Sequence, residues 1–190
     1  MARILVLFAS SHGQTRDIAW AIERYLRRRG HSVDLMDIRQ AAPDPAEYDL
    51  AVIGSRVELG RHARSIRRYI RCHRDALDAM PSAFFSVSMS AASGHDHTIG
   101  GLTAATGWRP GGSACFAGAL PYTRYNPLLR FIMKRISAKA GNTTDTTRDH
   151  DFTDWAAVRA FADRLADAAE RTSPPSRIVP PAPAVSQSVG

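Results

Sequence analysis

The stretch RILVLFASSHGQT, residues 3–15, decides the predicted fold of this chain. Its first half, residues 3–9, is an almost unbroken apolar run, which is typical of a parallel strand buried on both faces. A polar turn with one glycine, residues 10–15, follows directly, and apolar side chains then recur at helical spacing from Ile18 to Leu26. This order predicts a strand–turn–helix unit whose turn lies at the carboxyl edge of a parallel sheet.

Outward from this unit, apolar runs continue to alternate with amphipathic segments. Strands are predicted at residues 32–38, 50–54, 82–88 and 113–119, and helices at residues 61–79, 98–106 and 154–171. For the last helix, the spacing predicts a buried face that contains Trp155, Val158, Phe161, Leu165 and Ala168. Five strands separated by helices predict an α/β fold: a flavodoxin-like doubly wound parallel sheet with the strand order 2-1-3-4-5.

Composition limits the class of protein. The chain has 190 residues, of which 44% are hydrophobic, enough for one domain with one sizeable core. Its two cysteines, Cys72 and Cys115, are too few for a disulfide framework or a cysteine-rich zinc site, so we expect structural thiols. No apolar run reaches the ~18–20 residues of a membrane span, and the short amino-terminal run lacks the features of a secretory leader. We therefore expect a protein of the cytoplasm that does not cross a bilayer.

Charge and proline content distinguish parts of the chain. Lys and Arg number 25 against 18 Asp and Glu, and the net charge of +7 favours acidic partners such as anionic lipid, nucleic acid or a polycarboxylate ligand. Residues 1–171 are predicted to form the folded domain, with an insert at residues 121–151. Residues 172–190 hold five of the eleven prolines and no aromatic residue, which predicts a disordered tail.

The turn after the first strand predicts an anion site. Main-chain N–H groups at a helix start attract a phosphate, and Gly13 permits its close approach. The alternative is an ordinary capping turn, which also favours Ser, Thr and Gly. Because ligands of doubly wound sheets bind where the strand order reverses, the loops after strands three and four should complete the site. The residues assigned to it are Ser10, Ser11, His12, Gly13, Gln14, Thr15, Ser55, Arg56, Val57, Glu58, Leu59, Gly60, Val87, Ser88 and Met89.

The long connection after the fifth strand is not of disordered composition. A helix is predicted over residues 127–140, with an apolar arc that contains Leu128, Leu129, Ile132, Met133 and Ile136. Four cations flank the arc, namely Arg130, Lys134, Arg135 and Lys139. A basic amphipathic helix that is extra to a complete fold suits a membrane interface or a lipophilic substrate. The open alternative is that the arc packs on the core of its own domain.

Several stretches resemble the menaquinone-dependent protoporphyrinogen IX dehydrogenase family. They are residues 7–19, 48–54, 80–87, 108–110, 117–134, 144–146 and 153–155, of which the block AGALPYTRY through FIMK is the specific one. The turn at residues 10–15 likewise resembles the FMN phosphate loop of flavodoxins. The resemblance implies FMN as cofactor and oxidation of protoporphyrinogen IX, with six electrons passing to a membrane quinone, menaquinone or ubiquinone. It also implies a peripheral location on the cytoplasmic face of the inner membrane.

Within that resemblance, the insert becomes the element for substrate, quinone and membrane. Its assigned residues are Tyr122, Arg124, Tyr125, Arg130, Phe131, Met133 and Lys134. Cations expected near the two substrate propionates are Arg56, Arg61, Arg124 and Arg130.

Other chemistries are weaker predictions. His62, His95 and His97 are expected in or beside the crevice, where a histidine can shuttle protons. Residues 95–97 supply too few ligands for a metal, so no metal is expected, and no catalytic acid or base is assigned. The main alternative function is a flavodoxin-type electron carrier without a substrate of its own. A nucleic-acid-binding module is disfavoured because no recognition motif accompanies the basic charge.

Overall fold

The computed structural model of the chain describes residues 1–58, 60–88, 98–120 and 150–172. The strands are β1 (Arg3–Ala9), β2 (Ser32–Asp37), β3 (Leu50–Glu58), β4 (Arg61–His62), β5 (Ser82–Ser88), β6 (Gly112–Ala117), β7 (Ala119–Leu120) and β8 (His150–Asp151). The helices are α1 (Gln14–Arg28), α2 (Arg64–Cys72), α3 (Arg74–Ala79), α4 (Thr98–Thr106) and α5 (Trp155–Thr172), with a 3₁₀ turn at Pro45–Glu47. The predicted insert helix and residues 173–190 of the predicted tail lie outside the described residues, whereas Thr172, assigned to the tail, is the last residue of α5.

The main sheet has the predicted topology. Its parallel strands lie in the order β2-β1-β3-β5-β6, which is 2-1-3-4-5 when only the parallel strands are counted. The strand order therefore reverses beside β1, and the carboxyl ends of β1 and β3 are neighbours, with Ala9 opposite Ser55. This is the edge at which doubly wound sheets bind their ligands.

The segment after the third strand differs from its prediction as a loop. β3 continues to Glu58, and β4 pairs antiparallel with it through Val57–His62 and Glu58–Arg61. Gly60 has a φ of 73° in the turn between them, a conformation that glycine adopts at little cost. The Ser55 hydroxyl accepts a hydrogen bond from the Ala63 N–H at 3.1 Å, which fixes the returning chain. The predicted loop is thus a short hairpin.

The single helix predicted at residues 61–79 is instead two helices. α2 ends at Cys72, and His73 has φ −115° and ψ 23°, outside the helical range, before α3 begins. The His73 ring packs on Tyr69 with centroids 4.5 Å apart, and its Nδ1 lies 3.7 Å from Asp44. These contacts of His73 with α2 itself and with the residue before the 3₁₀ turn accompany a break that apolar periodicity alone does not reveal.

Two cores cover the two faces of the sheet. On one face α1 and α5 bury side chains such as Ile22 and Phe161. On the other face α2, α3 and α4 bury side chains such as Ile70, and Trp108 is completely buried there. The prediction that Trp155 is buried was wrong, because its side chain is 41% exposed. It is the first residue of α5, and its indole N–H donates to Asp151 at 3.1 Å, while the buried stripe of the helix begins at Val158.

One position in the middle of the sheet requires glycine. Gly54 on β3 lies in register with Phe8 on one side and Phe85 on the other. A Cβ at position 54 would lie 2.1 Å from the Phe85 ring, far inside van der Waals contact. Because Phe85 is completely buried, its ring has little room to move away.

Candidate functional site

The loop between β1 and α1 leaves the start of the helix without a cap. Gly13 precedes α1 with a φ of 99°, and within the described residues no side chain caps the helix. The Gly13 N–H donates to the Ser10 hydroxyl at 3.1 Å, which closes the turn upon itself. The first N–H groups of α1 therefore have no side-chain acceptor at the carboxyl edge of the sheet. Such a set of donors matches a phosphate, which accepts hydrogen bonds and is stabilised by the helix dipole.

Burial divides the predicted loop residues into two groups. Ser10 and Thr15 are buried, whereas Ser11 and His12 are exposed. The buried pair lies at the two ends of the turn and joins it to the core, and the exposed pair forms its outer rim. The six predicted positions, 10–15, thus lie together at the strand-order reversal, with residues 10–13 in the turn and residues 14 and 15 at the start of α1.

The β3–β4 hairpin approaches the same rim. The Arg56 guanidinium bonds the carboxylate of Glu58, with its Nε 2.7 Å from Oε1, and the Ser11 hydroxyl lies near the same carboxylate. Chiefly through the Arg56 bond, these contacts hold the pKa of Glu58 below its usual range. The charge of Arg56, predicted for a substrate propionate, is therefore balanced by Glu58.

The side chain of Ser55 has a structural role. The side chain is completely buried, and its hydroxyl donates to the Arg56 carbonyl at 2.9 Å while accepting from Ala63. A ligand at this position can therefore meet only the main chain of Ser55. Val87 and Ser88 are buried at the carboxyl end of β5, next along the same edge, and Leu59 and Met89 lie outside the described residues.

Sequence reasoning missed a polar network beneath the loop. The Gln14 side-chain amide donates to Thr153 Oγ1 at 2.7 Å and to Asp151 Oδ1 at 3.1 Å. Thr153 in turn donates to the Ala117 carbonyl at 3.0 Å, and its N–H donates to Asp151. Three segments distant in sequence meet here: the start of α1, the end of β6 and the residues before α5. The only signal in the sequence was the cluster of short polar side chains before the last helix.

The histidines and cysteines among the described residues do not form a second centre. His62 is buried and packs edge-on against Phe84 with ring centroids 5.0 Å apart, so it belongs to the core. His95 and His97 lie outside the described residues. Within the described ranges, no group of three or more His, Cys, Asp or Glu residues is placed to hold a metal ion. Cys72 is exposed and Cys115 is half-buried, and these two described residues form no disulfide.

Comparison with known proteins indicates the family of this chain. A flavodoxin domain model matches residues 5–147. The protoporphyrinogen IX dehydrogenase (quinone) of Escherichia coli K12 is 34% identical over 171 residues, which covers 86% of this chain and 94% of the relative.

The chain belongs to the quinone-dependent protoporphyrinogen IX dehydrogenase family. A Leishmania major protein of the same name is also 34% identical, over 86% of this chain and 74% of its own length. Among solved structures, a flavodoxin of Streptococcus pneumonia TIGR4 has a TM-score of 0.52 at 16% identity and covers 90% of this chain and all of its own, a likeness of fold.

Family membership makes the chain an oxidoreductase built on a flavodoxin domain, and FMN is the cofactor of that fold. The residues present fit the cofactor, because the uncapped start of α1 lies where the fold places a phosphate. Across the described ranges, no helix is long and apolar enough to cross a membrane. The predicted insert residues Tyr122, Arg124, Tyr125, Arg130, Phe131, Met133 and Lys134 lie outside the described residues.

Proposed function

We propose that this chain oxidises protoporphyrinogen IX to protoporphyrin IX in haem biosynthesis, with FMN as cofactor and a membrane quinone, menaquinone or ubiquinone, as electron acceptor. The observation that carries the proposal is the 34% identity to the Escherichia coli enzyme over 94% of its length. An aligned region that covers 86% of this chain must include residues 121–149, the segment extra to the flavodoxin sheet. The similarity therefore extends beyond the cofactor fold.

The phosphate of FMN is assigned to the turn between β1 and α1. The first N–H groups of α1 donate to it, with hydroxyls from Ser11 and Thr15, while Ser10 holds Gly13 in its positive-φ conformation. The flavin ring is assigned to the space between this turn, the β3–β4 hairpin and the carboxyl end of β5. When bound, FMN supplies the redox chemistry, and the protein supplies binding and orientation.

The substrate and the acceptor are assigned to the insert. Porphyrinogen carries two propionates, and Arg61, Arg124 and Arg130 are the cations proposed to meet them, because Arg56 is engaged by Glu58. The apolar arc and basic flank at residues 127–140 are proposed as the quinone and membrane element, in peripheral contact with the inner face of the plasma membrane. Removal of six electrons from the substrate proceeds in three two-electron steps that release six protons.

The deciding experiment is an anaerobic assay of the purified protein. It is expected to be yellow, to release FMN on denaturation, and to generate porphyrin fluorescence from protoporphyrinogen IX when a quinone is supplied. A second protein with a short turn in place of residues 121–149 retains the β7–β8 pair, and we expect it to bind FMN but lose this activity. Full activity in the shortened protein would show that the insert is not required for the reaction.

The same assay distinguishes this function from the alternative, an electron carrier without a substrate of its own. An intact, FMN-loaded protein that leaves protoporphyrinogen unchanged, yet passes electrons between a reductase and an oxidase, is an electron carrier. A colourless protein that cannot be reconstituted with FMN would contradict both functions.

A further inference from the structure

Two tryptophans are exposed on one side of the domain. Trp20 on α1 is 49% exposed and Trp155 on α5 is 41% exposed. In the described part of the chain, the only other large hydrophobic residue that is exposed is Met1. Both indoles line one open groove of about 630 Å³ between the two helices. Large apolar side chains grouped on a surface mark a contact with another molecule more often than a solvated face.

Each helix follows its tryptophan with arginine at helical spacing. On α1, Arg24 and Arg28 come four and eight residues after Trp20, and all three lie on one exposed stripe. On α5, Arg159 comes four residues after Trp155 and lies over the Tyr25 ring of α1 at 6.0 Å. The face formed by Trp20, Arg24, Arg28, Trp155 and Arg159, here called the Trp–Arg face, therefore combines indole rings with cations.

The acidic residues of the groove are already paired. Asp17 bonds Arg16 at 3.2 Å and Glu23 bonds Arg27 at 2.6 Å. Among the described residues, Arg24 and Arg28 have no carboxylate partner, and Arg159 has only Asp163, at 3.9 Å. The Asp151 carboxylate, which accepts the Trp155 indole N–H, offsets part of the positive charge of the Trp–Arg face. The surplus therefore rests on Arg24 and Arg28, in a chain whose net charge is +7.

We propose that the Trp–Arg face contacts the anionic surface of a lipid bilayer. Indole rings prefer the interface between headgroups and acyl chains, and arginine places its charge among lipid phosphates while its stem covers apolar surface. The inference rests on the proposed function, because a quinone acceptor in the bilayer requires the protein to approach it. It assigns the contact to described residues of α1 and α5, independently of the insert.

The test measures binding of the full-length, FMN-loaded protein to phosphatidylcholine vesicles with and without phosphatidylglycerol. We expect co-sedimentation only with the anionic vesicles, and quenching of tryptophan fluorescence by brominated lipid, because Trp108 is fully buried and Trp20 and Trp155 are exposed. Replacing both Arg24→Gln and Arg28→Gln is expected to weaken partitioning about thirtyfold, the equivalent of ~1 kcal/mol for each cation near an anionic surface. Trp20→Ser is expected to reduce the bromolipid quenching.

The matched control carries Arg68→Gln and Arg71→Gln, the same change of charge at two exposed positions of α2 on the opposite face of the sheet. It is expected to partition within about twofold of the unchanged protein, because its cations face away from the bilayer. Equal losses in the two double variants would overturn the proposal. So would unchanged partitioning of the α1 variant, or light scattering that shows a dimer dissociated by Trp20→Ser.

Oxidation of protoporphyrinogen with a water-soluble quinone is measured on the same samples. Activity without vesicle binding would contradict the lipid contact proposed for the Trp–Arg face and would leave the proposed function standing. Vesicle binding without activity overturns the proposed function and leaves the face as a lipid contact.

Discussion

The side-chain amide of Gln14 donates a hydrogen bond to the hydroxyl of Thr153 at 2.7 Å across 139 residues of sequence. Gln14 is the first residue of α1, which follows the proposed phosphate loop, and Thr153 lies two residues after the end of β8, the strand that closes the long connection. Because Thr153 also donates to the Ala117 carbonyl, the ends of that connection and the proposed cofactor loop share one polar contact.

Thr153→Val tests the strength of this contact. Valine keeps the shape of threonine but leaves the Ala117 carbonyl without its donor and removes one of the two bonds of the Gln14 amide. We expect the free energy of unfolding to fall by ~1–2 kcal/mol, the usual cost of a partly buried polar group that loses its partner. FMN should also dissociate faster. Urea denaturation and stopped-flow release of flavin measure the two effects.

A matched change at Thr172 calibrates the result. Its hydroxyl bonds the Ala168 carbonyl at 3.1 Å on the exposed end of α5, so Thr172→Val should cost under ~0.5 kcal/mol. Similar losses at positions 153 and 172 would contradict a special role for the buried contact.

Gly13→Ala tests the conformation of the phosphate loop. A Cβ at a φ of 99° is strained by ~1–2 kcal/mol, and relief of the strain would move the N–H groups at the start of α1. We expect FMN affinity to fall by about tenfold or more, as measured by fluorescence titration of the apoprotein. The control is Gly100→Ala in the open part of α4, where alanine favours the helix. An unchanged FMN affinity in the Gly13→Ala protein would show that the phosphate binds at another site.

Glu58→Gln tests the charge at the rim of the site. The carboxylate lies near the Ser11 hydroxyl, so its negative charge lies beside the proposed phosphate position. Its removal should tighten FMN binding by about two- to fivefold, a change of the size typical of exposed charges. The gain should shrink as salt is added, because salt screens exposed charges. Weaker binding in this variant would show that the Arg56–Glu58 pair instead holds the hairpin in place for the cofactor.

His31 makes stability depend on pH. Burial lowers the pKa of this imidazole, whose side chain is 3% exposed and whose Nδ1 accepts from the Ala2 N–H at 3.4 Å. As the pH falls below ~6.5, the imidazole of residue 31 becomes protonated in the unfolded chain but stays neutral in the folded chain. The free energy of unfolding should therefore decrease from pH 7 toward acid, until the lowered pKa is reached. Urea denaturation of the apoprotein should show a smaller decrease for His31→Gln, and an equal slope in both proteins would assign the effect to other groups.

Much of the sheet was predictable because its strands are buried on both faces. Runs such as residues 3–9 and 82–88 become β1 and β5 with the predicted bounds, and α4 likewise begins and ends as predicted. The same logic placed the turn after β1 at the carboxyl edge, since a turn between a buried strand and the following helix can lie only at one edge of a parallel sheet.

The errors came where side chains from distant segments decide the local structure. The β3–β4 hairpin depends on the buried Ser55 hydroxyl, and the exposure of Trp155 depends on where α5 begins and on the carboxylate of Asp151. Neither contact leaves a periodic pattern in the sequence. The cofactor roles of the loop and of the other assigned residues, the roles of the insert residues and the disorder of the tail stay predictions.

Because Gly54 has no side chain, the residue sizes tolerated on β3 and β5 depend on each other. The Phe85 ring occupies the space in which the Cβ of residue 54 would lie, so the size of one residue limits the size of the other. Gly54→Ala alone should be severely destabilising, because overpacking of a filled core typically costs ~1–3 kcal/mol. A genetic selection for suppressors of that change should return smaller residues at position 85, a compensatory exchange of volume between β3 and β5.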